Sequence, residues 1–278
     1  MTAAVMSAAA SRVCARVRVR YSCSAGVHPH SRSGGRSRWP TAPNSVSAHA
    51  AIVFVEAMNS GSGQRQHWWA VAAGVAAREF SGVHMNGPQF DMKSAAGALA
   101  AVVAGVRDDQ LELPTPSPER TVGMLLAHIA GFSTAFREAA TKEGIGKSQP
   151  PSDADLVLEQ GWRELIPAQL EALVAAWREP GAWEGETEVG GVRGAAAQMA
   201  VFALDEVVIH GWDLARATAQ EYQPNEDDLA VLWEMVRHTP DAGTPGLFGP
   251  AVPTGSDSPL FDRVLGRTGR DPRWTAEP

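Results

Sequence analysis

Apolar positions recur at intervals of three and four through most of the second two thirds of the chain, the spacing of helices that bury one face. The densest stretch runs from Ala195 to Ala219, where almost every residue is Ala, Val, Ile, Leu, Met, Phe or Trp. Such a run predicts a helix over about 194–220 that is apolar nearly all round, and hence buried. Upstream, the pattern predicts helices over 95–106 and 122–139. Leu113-Pro-Thr-Pro-Ser-Pro118 cannot be helical and connects them, with Pro118 and Glu119 expected in the first turn of the second helix. A third helix is expected from Ser152 to about Glu179, with Leu156, Leu165, Leu170, Leu173 and Val174 facing inward and Pro167 kinking or splitting it. Val189-Gly-Gly-Val192 predicts a turn or short hairpin. Pro224-Asn-Glu-Asp-Asp228 predicts a capped entry to a fifth helix ending near His238, and a short helix is expected over 260–266. Four long helices, a shorter fifth and a C-terminal extension make an all-α bundle.

Composition divides this picture at about residue 91. Residues 1–90 carry nine Arg and no Lys against Glu56 and Glu79, a net of +7, whereas the other 188 residues carry 15 basic and 29 acidic side chains, a net of −14. The first segment holds Ser, Gly, Pro and Arg clusters and shows no sustained periodicity. It is expected to be a disordered N-terminal extension, or translated leader ahead of a true start at Met85 or Met92; an address signal and a basic nucleic-acid arm are the alternatives. Residues 92–278 are expected to be the folded domain. Both cysteines, Cys14 and Cys23, lie in the basic segment, so residues 92–278 can hold neither a disulfide framework nor a Cys-based zinc site. No apolar run reaches the ~18–20 residues that span a bilayer. A cytoplasmic protein with no membrane partner is expected. The acidic excess argues against nucleic acid as a partner, and no pattern along the chain specifies an oligomeric state.

The candidate chemistry lies inside the buried helix, in Glu206-Val-Val-Ile-His210-Gly-Trp-Asp213. At 3.6 residues per turn, Glu206 and His210 stack on one face and Asp213 shares the stripe. A carboxylate and an imidazole in a dry core are costly unless paired or bound to an ion. Residues 92–278 contain only three histidines: His128, His210 and His238. His128 stands mid-helix in Leu125-Leu-Ala-His-Ile129, where a leucine would be expected. Two histidines and a carboxylate from two helices would form a His₂Glu site with positions open to water or substrate. The same residues also suit an ordinary i,i+4 contact and a satisfied core histidine. Asp213 could ligate, orient His210, or bond to backbone; the second role is favoured. His238 suits a helix C-terminus, and Trp212 the core. Asp153, Asp155, Asp227 and Asp228 stand at helix entries as caps and solvated charge. No Gly-rich phosphate loop, dinucleotide fingerprint or Gly-x-Ser-x-Gly turn occurs.

Several motifs carry a family resemblance: Leu113-Pro-Thr-Pro, Thr121-Val-x-x-Leu-Leu-x-His128, Glu206-x-x-x-His210-Gly-Trp-Asp-Leu-Ala-Arg-Ala-Thr218, Phe248-Gly-Pro, and Gly269-Arg-Asp-Pro272. From about Met92 to Trp274 the chain resembles the actinobacterial metal-binding proteins related to mycothiol-dependent maleylpyruvate isomerase, within the DinB-like superfamily. The resemblance implies a four-helix bundle holding a divalent metal, typically zinc, through His128, Glu206 and His210. It also implies a small-molecule thiol such as mycothiol as cosubstrate, for isomerisation or thiol transfer. Ser117 and Arg120 stand where family members often carry Cys and Trp, so the loop beside the site departs from the pattern. A non-catalytic, metal-stabilised bundle acting as an interaction protein is the alternative.

Overall fold

The computed structural model describes residues 89–276 apart from 118–119, 150–156 and 245–246. These residues form six α-helices and a two-stranded antiparallel sheet. The helices are α1 (Lys93–Gly105), α2 (Val122–Thr141), α3 (Trp162–Trp177), α4 (Ala196–Ala217), α5 (Glu226–Val236) and α6 (Leu260–Arg267). The strands are β1 (Glu186–Val189) and β2 (Val192–Ala195), joined by Gly190 and Gly191, both at positive φ. The expected hairpin, fifth helix and short C-terminal helix are all present. None of the described helices is long and apolar enough to cross a membrane.

α1 and α2 each pack against both α3 and α4. The seam between them is filled by Leu99 and Val103 of α1, Leu125, Leu126 and Ile129 of α2, Ile166 and Leu173 of α3, and Met199, Leu204 and Val208 of α4, all fully buried. α4 exposes almost nothing along its length, as its apolar composition requires. It leaves β2 without a side-chain cap, and the Ala196 N–H instead donates to the Gly185 carbonyl. β1 is tied to the end of α2 by the Thr187 hydroxyl, which donates to the Ala139 carbonyl. α2 stops where Lys142 turns left-handed, at φ 66°, and its ammonium reaches the Ala182 and Glu184 carbonyls.

Two helix starts differ from expectation. α2 begins at Val122, where the Thr121 hydroxyl accepts from the Met124 N–H; Pro118 and Glu119 lie outside the described residues and ahead of the helix. α3 begins at Trp162, not at Ser152: residues 157–161 are not helical, and Gly161 opens the helix at φ 76°. Ser152, Asp153, Asp155 and Leu156 fall outside the described residues, as do residues 1–88. The later start places Pro167 in the second turn of one continuous helix, where it forfeits a single backbone bond and does not split the helix. Leu165 is half-buried, and Ile166 takes the inward position.

Past α4 the chain turns back along it. α5 is capped by Asn225, whose side-chain oxygen accepts from the Asp228 N–H. Asp228 is buried there rather than solvated; its carboxyl is pushed up to about 6, mainly by burial. After α6, Gly269 adopts φ 84° and lies so close to Gly249 that a Cβ would sit 3.0 Å from its Cα. The last described segment then runs back to α4, where Arg216 Nε donates to the Trp274 carbonyl at 3.1 Å.

Candidate metal centre

Helical spacing on α4 and one crossing from α2 bring three donors together. His128 Nε2 and His210 Nε2 each lie 3.2 Å from Glu206 Oε2, and no two of the three ligand atoms are more than 4.8 Å apart. The imidazoles meet edge-on at 4.8 Å between centroids, and the Phe132 ring packs against both. His210 is the deepest of the three, at 7% side-chain exposure, against 13% for His128 and 20% for Glu206. Access to the cluster is therefore from the His128 and Glu206 side.

Asp213 completes the stripe. Its Oδ2 is 2.9 Å from His210 Nδ1, on the side of the ring away from the three clustered donors. Sequence reasoning missed two further members. Arg270, 57 residues downstream, donates to Asp213 from Nη2 at 3.0 Å and from Nε at 3.4 Å. Asp205, buried beside Glu206, has an oxygen with no hydrogen-bond partner among the described residues. The Gly269-Arg-Asp-Pro272 motif was visible without a role, and an excess of acids on an apolar helix was the available signal that a distant cation belongs here. His238 is exposed beyond α5 and takes no part; Trp212 is core.

The electrostatics follow from these contacts. Burial pushes the Glu206 carboxyl up, but bonds from His128 and His210 outweigh it and hold it well below the usual range. Burial opposes charge on His210, and the bonds from Asp213 and Glu206 prevail, raising its pKa. Burial dominates at His128 and lowers it. Burial would raise Asp213, but Arg270 and then His210 bring it down. Asp205 is pushed up to about 7, by burial and then by Glu206.

A divalent ion fits this donor set. His210 lies between two carboxylate oxygens, one at each ring nitrogen. Neutral imidazole has a single N–H, so one contact would set lone pair against lone pair unless a second proton or a cation intervenes. The two 3.2 Å separations match the donor–donor edge of about 3.3 Å in a tetrahedral zinc site. Imidazole and carboxylate donors suit zinc and several other divalent metals. A cavity of about 370 Å³ lined by Ala98, Val102, Gln220 and Tyr222 shares no residue with this cluster.

The loop before α2 is held from within. The Thr115 hydroxyl lies 3.0 Å from both the Ser117 and Arg120 carbonyls, and Arg120 Nη1 donates to the Ser117 hydroxyl at 3.3 Å. The Arg120 charge is felt at His128, where it disfavours protonation.

Residues 92–215 match the family model of the mycothiol maleylpyruvate isomerase N-terminal domain. Two curated relatives from two strains of Mycobacterium tuberculosis, the uncharacterized proteins Rv0738 and MT0763, are each 28% identical over 178 residues, which cover 62% of this chain and 88% of theirs. The crystal structure of the mycothiol-dependent maleylpyruvate isomerase superposes with a TM-score of 0.50 at 19% identity, over 65% of this chain and 87% of that one. At that identity, the fold is what the two share.

Proposed function

We propose, from the match of residues 92–215 to the family model of the mycothiol maleylpyruvate isomerase N-terminal domain, that the chain is a cytoplasmic, divalent-metal-dependent enzyme that uses a small-molecule thiol of the mycothiol type, as an isomerase or S-transferase. In this reading residues 92–278 are one DinB-like domain whose α1–α4 make a four-helix bundle, and residues 1–91 are an extension to it. The observation that carries the proposal is the convergence of His128 Nε2 and His210 Nε2 on Glu206 Oε2.

His128, Glu206 and His210 are the metal ligands, and zinc is the first candidate. A bound divalent ion would lower the pKa of a coordinated thiol, so that a thiolate is available at neutral pH. The protein's own groups favour that anion. With both imidazoles neutral and Asp205 protonated, Glu206 and Asp213 contribute two negative charges and Arg270 one positive, so a dication leaves an excess of one positive charge. Asp213 accepts the Nδ1 proton of His210, which leaves the Nε2 lone pair facing the site. Phe132, packed on both rings, limits water there and strengthens every charge interaction among these residues.

Metal content of the purified full chain, measured by elemental mass spectrometry beside a His128→Ala/His210→Ala variant, tests the ligand set. Near-stoichiometric zinc in the parent and none in the variant is expected. A parent that stays empty after zinc is supplied, while folded, would refute it. Thiol use is tested separately: cobalt-loaded protein should gain a near-ultraviolet thiolate charge-transfer band on adding mycothiol. Metal binding with no such band would leave a metal-stabilised interaction protein instead.

A further inference from the structure

We propose that the cavity between α1 and the segment following α4 is a binding site for a small primary alkylammonium ion. The site uses none of the proposed metal ligands. Its volume of about 370 Å³ is at the lower end of the range that small-molecule sites occupy, roughly 300–1,000 Å³. Ala98, Ala101 and Val102 of α1 line it with methyl groups, which suit a short methylene chain. Gln220, Glu221 and Gln223 supply its polar groups, while Tyr222 contributes its ring, because the Tyr222 hydroxyl lies against Gly211.

Gln220 is held so that it presents an acceptor. Its Nε2 donates to the Val102 carbonyl at 3.0 Å and to the Thr218 hydroxyl at 2.9 Å, which uses both amide hydrogens. The Thr218 hydroxyl gives its own hydrogen to the Leu214 carbonyl. Both partners of Nε2 therefore accept, and the amide cannot be turned around. Oε1 is what remains for a ligand. It rests against Gly105, in space that a Cβ there would fill. Ala219 adopts φ 56° just before Gln220, a left-handed conformation that residues with a Cβ rarely take. Glu221 is the one charged side chain among the described residues that line the cavity, and Gln223 can offer either end of its amide. A carboxylate, a fixed amide oxygen and a methyl lining match a ligand that is positively charged, donates several hydrogens and continues as an alkyl chain. An alkylammonium has all three properties. An anionic ligand would meet the Glu221 charge and the acidic excess of residues 91–278.

The experiment titrates the full chain with butane-1,4-diamine, butane-1,4-diol and butanedioate, three probes of one chain length and different charge. Backbone amide NMR reads where each binds, at ~0.15 M salt, where diffuse attraction to an acidic domain is screened beyond about 8 Å. The diamine should shift the amides of 98–102 and 220–223 with a Kd on the order of 1 mM, and the diol and butanedioate should not. Ala101→Leu, at an exposed position of α1 that a good helix former suits, puts an isobutyl group into the cavity and should abolish binding. Glu221→Gln should weaken it about 3–10-fold, the loss of a charge-assisted bond partly screened by solvent. Glu171→Gln, which removes an exposed charge outside the cavity, should leave it unchanged. No saturable shift in those amides at ~10 mM diamine, a diol that binds as tightly, or a folded Ala101→Leu protein with parental affinity overturns the proposal. Equal affinities in Glu221→Gln and Glu171→Gln overturn it too, and decide the matter if Ala101→Leu does not fold. Shifts confined to 206–210 would place the amine at the metal ligands and likewise overturn it. None of these readouts needs a bound metal, so failure of this site and failure of the metal centre are separate results.

Discussion

Replacing Asp213 by Asn keeps its shape and removes its charge, which separates two roles of one carboxylate. Arg270, at 12% side-chain exposure, would lose its counter-ion in a site where Asp213 itself is fully buried. Breaking a buried pair from one side costs about 3–5 kcal/mol, because the remaining charge is uncompensated. The Asn oxygen can still accept one guanidinium bond, so about 3 kcal/mol is the expected loss for Asp213→Asn. Arg270→Met should cost a similar amount, by stranding the carboxylate. The double variant removes both charges and should be more stable than the sum of the two losses allows, with a coupling energy of roughly 2–3 kcal/mol. Urea unfolding of the four metal-free proteins at neutral pH measures it, provided the slope is unchanged. Zinc affinity should not recover in the double variant, since the Asn amide can donate to His210 Nδ1 and turn the ring. Stability losses that simply add within ~0.5 kcal/mol would refute the view that these two residues form one electrostatic unit.

Three other outcomes are expected. Tyr222→Phe should stabilise the protein by about 1 kcal/mol in thermal or urea unfolding, since the Tyr222 hydroxyl is buried against Gly211 with no hydrogen-bond partner among the described residues; a loss of that size would reveal a missed bond. Leu204→Ala should cost about 2–5 kcal/mol, because Leu204 is fully buried in α4 and its truncation removes buried apolar contacts and leaves a cavity; urea unfolding checks it, and a cost under ~1 kcal/mol would contradict the packing. Asp205, raised from 3.8 to about 7, keeps its proton in the folded state after the unfolded chain has lost it. Its contribution is therefore full below about pH 4 and lost by about pH 7. Metal-free Asp205→Asn should gain on the parent across that window, by up to about 4 kcal/mol at ~1.4 kcal/mol per pH unit, in urea unfolding at stepped pH; a flat difference would show that Asp205 is already ionised.

Much of the site was legible because one helix carries it. Glu206, His210 and Asp213 share a stripe fixed by local geometry alone, and an all-apolar surround announces burial. His128 was legible only as a histidine where a leucine belonged; its meeting with Glu206 depends on how α2 crosses α4, which spacing does not encode. Arg270 was not legible as a partner, since pairing over 57 residues leaves no periodic trace. Asp205 was overlooked because an acid next to a candidate ligand reads as its neighbour. The start of α3 misled for a different reason: Ser152-Asp-Ala-Asp155 has the residues of a helix cap, but Gly161 at positive φ sets the start ten residues later. Pro167 seemed central to a long helix and is harmless near the beginning of a shorter one.

α4 is packed on every side, and its consequence is dynamic. A helix with no free face cannot shift without unpacking several neighbours at once, so its amides should exchange hydrogen only through global opening. Glu206, His210 and Asp213 thus stand on the part of the protein that moves least. Any breathing that admits a ligand falls to the pieces outside α4, among them the C-terminal segment held by two arginine contacts. The faster exchange of those pieces would mark where the protein opens, around a centre that stays still.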